Sequence, residues 1–389
     1  MRARMVACGA LVLGAATAFA QVPLGLEFAV NTYTPGSQYS PLAALRDDGS
    51  FVVVWTSGTD SFALRDGFGR RFDPSGAPVG GEFRINGTAT SVRDVTDIVG
   101  TRRGDFVVVW NAVAPGTFTS EILARRFDAA GRPQGTEFRI NSNTTGHRGG
   151  ARIDRLGAGP FAVTWSDELD GGASPDDMGV AARVFDSSGQ PLGPEFRVNT
   201  YTTGHQYNPD VAMDASGRFV VVWQSRAISN GRDGIFARTF EANGVAIGAE
   251  FQVNTTTGVG FYPFVDWSPA GGFVVVWSLP EVGFDIRARR LDDQGHPIVN
   301  EFTVNEVTTG VQFSESSAIA HDGAGNFVVT WSSGYGGLET DVFARRFDAL
   351  GNPRGPEFSV NTYTSGSQRQ PAVASDAWGN FLVGWTLGR

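Results

Sequence analysis

The chain of 389 residues has no lysine; all 31 of its basic side chains are arginines. Schiff-base chemistry and a P-loop lysine are therefore excluded. Its one cysteine, Cys8, lies near the N-terminus, so the rest of the chain has no disulfide, thiol nucleophile or thiolate-bound metal. Histidine is scarce. His147, His205, His296 and His321 form no His-x-x-x-His or Glu-x-x-His pair, and this removes the common zinc patterns. No Gly-x-Ser-x-Gly elbow occurs. No apolar run after the first twenty residues is long enough for a transmembrane helix, and no segment keeps a helical period. The net charge of −9 argues against nucleic acid as a partner, because binding it requires a basic surface.

What is present begins with Met1–Ala20. Two arginines precede an Ala/Val/Leu-rich run, and Ala-Phe-Ala precedes Gln21. This is the pattern of a secretory signal peptide, predicting export to the periplasm, cell surface or exterior. The remaining 21–389 reads as a single domain of seven repeats.

Three marks recur about every 55 residues. Glu-Phe begins at Glu27, Glu82, Glu137, Glu195, Glu250, Glu301 and Glu357. An asparagine follows each Glu by four, from Asn31 to Asn361. A tryptophan closes an apolar run at Trp55, Trp110, Trp165, Trp223, Trp277, Trp331 and Trp385. Within a unit, turn residues separate four short stretches rich in β-branched and aromatic side chains. The run Phe219–Trp223 alternates large apolar side chains onto both faces of its sheet, so both faces must be covered. Standing such sheets around an axis covers them. The expected fold is all-β, a seven-bladed β-propeller of four-stranded antiparallel blades. The third strand, Ala-Arg-Arg-Phe or a variant, occurs only six times, and the sequence stops soon after Trp385. The last blade is thus expected to be incomplete at the C-terminus. Its open edge would be a template for oligomerisation. The repeated arginine and the Glu of Glu-Phe are expected to form a cross-strand ion pair.

The pattern P-x-V-A-x-D-x-x-G-x-F-V-V-V-W resembles NHL-type repeat propellers and related repeats of secreted bacterial proteins. It is carried by Pro209, Val211, Ala212, Asp214, Gly217, Phe219 and Trp223, and in variant form by Pro371 to Trp385. The resemblance is at the level of fold. It implies a binding or scaffolding propeller and carries over no catalytic residue.

A single site does not need seven copies of its residues, so unrepeated side chains on variable loops are the functional candidates. Tyr33, Tyr201 and Tyr363 share one crossover position, with Gln38, Gln206 and Gln368 just beyond and His147 and His205 in matching slots. Aromatic plus amide chemistry suits stacking on and hydrogen-bonding a sugar. The plainer alternative is that these residues tie each crossover to its neighbour. Asp167, Glu168, Asp170, Asp176 and Asp177 crowd the loop after Trp165. A calcium site is the sharper reading of them and a solvated acidic loop the plainer one, since the spacing matches no known calcium loop. No cofactor is otherwise implied. The expected function is a binding scaffold for a glycan or extracellular protein through the loop face. The alternatives are a polysaccharide-active hydrolase or lyase, predicting perturbed carboxylates near the axis, and a surface adhesion module.

Overall fold

The computed structural model describes residues 8–14, 22–58, 65–87, 92–101, 103–113, 119–155, 157–168, 178–226, 232–256, 260–279, 284–313, 318–335 and 339–388. Its described elements are all β-strands. A representative blade runs outward as His205–Met213, Phe219–Arg226, Gly234–Phe240 and Phe251–Gln252, each antiparallel to the next. A tight turn at Asp214 joins the first two strands. Its carboxylate accepts from the Ser216 and Arg218 amides, and Gly217 takes the left-handed conformation the turn requires.

The second strand shows why the blades stand in a ring. Phe219, Val221 and Trp223 pack with Ala182 and Val198 of the preceding sheet. Val220 and Val222 pack with Val265, Val275 and Trp277 of the following one. Alternation along one strand thus builds two interfaces. The innermost strands touch their neighbours from Ser37–Leu45 round to Gln368–Ser375, which returns to Ser37–Leu45.

Two expectations are corrected. The structure is a six-bladed propeller plus a further, less regular sheet, not the expected seven-bladed one. That sheet holds Phe327–Tyr335, Glu339–Phe347 and Phe358–Ser359, and its inner edge is two separate strands of three residues, Val311–Phe313 and Ile319–His321. The physical cause is in the chain. Gln206 and Gln312 occupy equivalent places, yet Asp210 follows the first by four residues and its counterpart Ala318 follows the second by six. The two extra residues cannot be held in one ladder register.

Nor is the last blade incomplete. Cys8–Gly14 lies antiparallel to Phe381–Leu387 in the place a third strand would take. Phe28–Ala29 and Val22–Pro23 pair with its other edge. The open edge expected at the C-terminus is filled by the N-terminal segment of the uncut chain. Among the described residues no helix is long and apolar enough to cross a membrane.

Candidate functional site

The repeated residues are joints between neighbouring sheets. All seven repeated asparagines are buried and donate to the crossover, and six of them, Asn86 to Asn361, accept a third-strand amide, as Asn254 does from Ile235 at 2.8 Å. Among the described residues the expected Arg–Glu pair does not form. Arg238 instead donates to the Val198 carbonyl of the preceding blade at 3.1 Å, and Arg70 to Val30 at 3.1 Å. Glu250 accepts the Thr200 amide at 2.6 Å, and Glu27 accepts that of Thr362 at 2.8 Å. Crossover amides have no ladder partner, so an acceptor from the next sheet satisfies them.

The sequence candidates fall at several places on the crossover side. Gln38 and Gln368 are buried, and each accepts a tryptophan indole N–H at 3.1 Å, from Trp55 and Trp385. Gln206 is buried too and donates to the Thr203 carbonyl. Tyr33 and Tyr363 are exposed at 57% and 50%. Tyr201 is half-buried beneath Arg232, whose guanidinium carbon lies 5.2 Å from the ring centre. His205 meets Tyr207 edge-on at 6.0 Å, and His147 is exposed. One cavity of about 150 Å³, lined by Phe28, Tyr363, Gln368, Trp385 and Leu387, brings two candidates together. Tyr201, His205 and Gln206 share a different crossover, and His147 sits on a third.

The acidic loop is only partly described. Asp167 is fully buried, 3.2 Å from Arg148 and 3.0 Å from the Trp165 indole nitrogen. Burial pushes its carboxyl up, opposed by the indole hydrogen bond and Arg148. Glu168 accepts the His147 amide at 2.8 Å. Asp170, Asp176 and Asp177 lie outside the described residues. Among the described residues no group of three or more His, Cys, Asp or Glu side chains is arranged to hold a metal ion. The face of tight turns is less featureless than its sequence suggests. A cleft of about 280 Å³ opens between two sheets beside Asp105, Arg126, Asp128 and Arg155.

The cluster that sequence reasoning missed lies on the innermost strands. Asp97 and Asp210 occupy one tier of these strands, with Arg152 between them in ring order; Asp154 and Asp266 occupy the tier nearer the tight turns. Each aspartate reaches the next inner strand and accepts its amide: Asp97 from Ile153, Asp154 from Met213, Asp210 from Val265 and Asp266 from His321, at 2.7–3.0 Å. Arg152 donates to the Thr96 carbonyl at 3.0 Å and lies 5.1 Å from the centre of the Phe264 ring.

Burial raises the carboxyls of Asp97, Asp154 and Asp210. Asp154 is pushed up to about 8, chiefly by crowding protein atoms and then by the charges of Asp266 and Asp97. Asp210 is pushed up to about 7 by burial, partly offset by Arg152. Burial also raises Asp97. Asp154 and Asp266 stand on the innermost strands of two sheets, two apart in ring order and at the same register to the tryptophan that follows. Asp154 is half-buried and the Asp266 side chain is 33% exposed. His321 holds Asp266 through Nδ1 at 2.9 Å, and its Nε2 is buried with no protein hydrogen-bond partner. A carboxyl that keeps its proton near neutral pH, with a second half-buried aspartate on the same axial tier, is an acid/base pair in outline.

One signal for this cluster was readable. Aligned on the apolar run that follows, the inner strands carry Ala44, Ala212, Ala320 and Ala374 where Asp154 and Asp266 stand. Charge replacing alanine at an axial position breaks the repeat where a site could be.

No family model and no curated protein matches the chain. Solved structures do. An α-L-arabinofuranosidase, Arb93A from Fusarium graminearum in complex with an iminosugar inhibitor, aligns with a TM-score of 0.55 at 12% identity, covering 80% of this chain and 93% of that one. A protein of unknown function from Dyadobacter fermentans aligns with a TM-score of 0.52 at 9% identity, covering 90% and 95%. At such identities the likeness is one of fold: this chain is a β-propeller.

Proposed function

We propose that this chain is an exported propeller that hydrolyses glycans at its axis, with Asp154 as the general acid. The observation that carries this reading is the axial group Asp97, Arg152, Asp154, Asp210 and Asp266, in which burial raises three carboxyls. Asp154 holds a proton to give to the glycosidic oxygen as the bond to the anomeric carbon breaks. Asp266, tied to His321, is the partner carboxylate that activates the incoming water or attacks the sugar. The fold shared with the Fusarium arabinofuranosidase supports a glycan as substrate and makes α-L-arabinofuranosides the first to try. Export rests on the leader pattern of Met1–Ala20.

The test is release of reducing sugar from a panel of α-L-arabinofuranosides and other plant and microbial polysaccharides. Asp154→Ala, which restores the residue of four sibling strands, is expected to keep the fold and lower turnover at least 100-fold, at the low end of a general acid's contribution. Unchanged turnover in Asp154→Ala and Asp266→Ala would remove the axis from consideration. A second reading is recognition without turnover through the crossover face, where Tyr363 stands exposed at the cavity beside Trp385. Glycan binding that Tyr363→Ala weakens, with no product from any substrate, would favour it.

A further inference from the structure

The closing sheet takes its third strand from the far end of the chain, in the register of the true third strands. In the other sheets a small residue stands opposite both the residue before the tryptophan and the phenylalanine of Glu-Phe. Ala237 pairs with Val222 and Phe251, Ala344 with Thr330 and Phe358, and Gly69 with Val54 and Phe83. A Cβ on Gly69 would come within 2.7 Å of the Phe83 ring, so there even a methyl needs the ring to shift, and nothing larger than alanine occupies the place in the other sheets. In the closing sheet Ala10 pairs with Gly384 and with Phe28, which is the same register. Three residues on, Leu13 pairs with Phe381, as Leu291 pairs with Phe273 and Phe240 with Phe219. Ala10-Leu-Val-Leu13 therefore satisfies the Ala-x-x-Leu/Phe spacing of the true third strands. It lacks their arginine: Leu11 stands where Arg238 and Arg345 stand.

We propose that the slot between Phe381–Leu387 and Phe28–Ala29 is a strand-acceptor site whose occupant in the uncut chain is Cys8–Gly14. Six rungs on one side and four on the other hold that segment by its backbone. The segment that reads as an export leader is also the strand that closes the ring. Removing residues 1–20 opens two facing strand edges, and an extended Ala-x-x-Leu/Phe segment is what the register accepts there. This inference stands apart from the axial chemistry and does not depend on it.

Cys8 pairs with Thr386 and is the chain's one cysteine, so the pairing can be trapped. The full chain is made without export as Thr386→Cys and treated with a short bis-maleimide. An intramolecular crosslink is expected there, and none in Ser188→Cys, on a turn in another sheet. Absence of the Thr386→Cys crosslink overturns the proposal. In a second form, a protease site is placed between residues 15 and 20 of the otherwise native chain. After cutting, the N-terminal fragment is expected to co-elute with the propeller and to leave only in denaturant. Its loss on cutting, under native conditions, would equally overturn the assignment.

Discussion

Arg148 and Asp167 show how one residue change is absorbed by another. Sibling sheets place glutamine and serine at these two positions, as Gln38 and Ser57 or Gln206 and Ser225, with Gln38 caught by the tryptophan N–H. In this sheet arginine replaces the glutamine, and aspartate both neutralises it and takes over the Trp165 indole. Breaking a buried pair from one side strands a charge. Arg148→Ala is expected to cost about 3–5 kcal/mol in urea unfolding. The double change Arg148→Gln with Asp167→Ser rebuilds the sibling arrangement and should return to within about 1 kcal/mol of the parent. At the same scale, Asp154 governs a pH dependence. As the acid it must carry its proton, so activity should fall as pH rises through about 8. A pH–rate profile whose alkaline limb is unmoved by changing Asp154 would count against its role.

At the scale of the element, the inner strands share a distortion. A bulge interrupts six of them, between Tyr39 and Leu42, Val95 and Asp97, Gly149 and Arg152, Tyr207 and Asp210, Phe261 and Phe264, and Arg369 and Ala372. Within these bulges Ser40, Asn208, Tyr262 and Gln370 take left-handed backbone angles near +50°, as Gly150 does at +62°. The bulge re-aims the strand so that residues such as Asp210 and Arg152 reach the axis. Side chains other than glycine occupy that region at a cost. Ser40→Gly, which copies Gly150, is therefore expected to raise stability by about 0.5–1 kcal/mol, read from the urea midpoint. Ser40→Val should lower it. No pattern of hydrophobic alternation signals such a bulge, because the inserted residue is polar in one strand and aromatic in another.

For the whole molecule, the buried aspartates set a stability optimum. Asp154 and Asp210 have folded values of about 8 and about 7, above the ordinary 3.8. Between these limits the folded state binds protons that the unfolded chain releases, so stability declines as pH climbs from about 4 toward 8. Glu301, Asp214 and Asp348 are lowered by hydrogen bonds that outweigh burial, and their contribution is lost as pH falls below about 4. Calorimetry should place the highest Tm between about pH 4 and 6, and Asp154→Ala with Asp210→Ala should flatten the alkaline decline. A Tm that rises steadily to pH 8 would contradict this. The repeat, the all-β class and the two-faced packing of each apolar strand were determined by the sequence alone, because burial of alternating side chains depends only on local order along a strand. The axial carboxylates, the joints made by Arg238 and Glu250, the irregular sheet and the strand at Cys8–Gly14 were decided only by tertiary structure. Each joins residues 40 or more positions apart, or turns on a shift of one or two residues in register, and a linear pattern carries neither distance nor register.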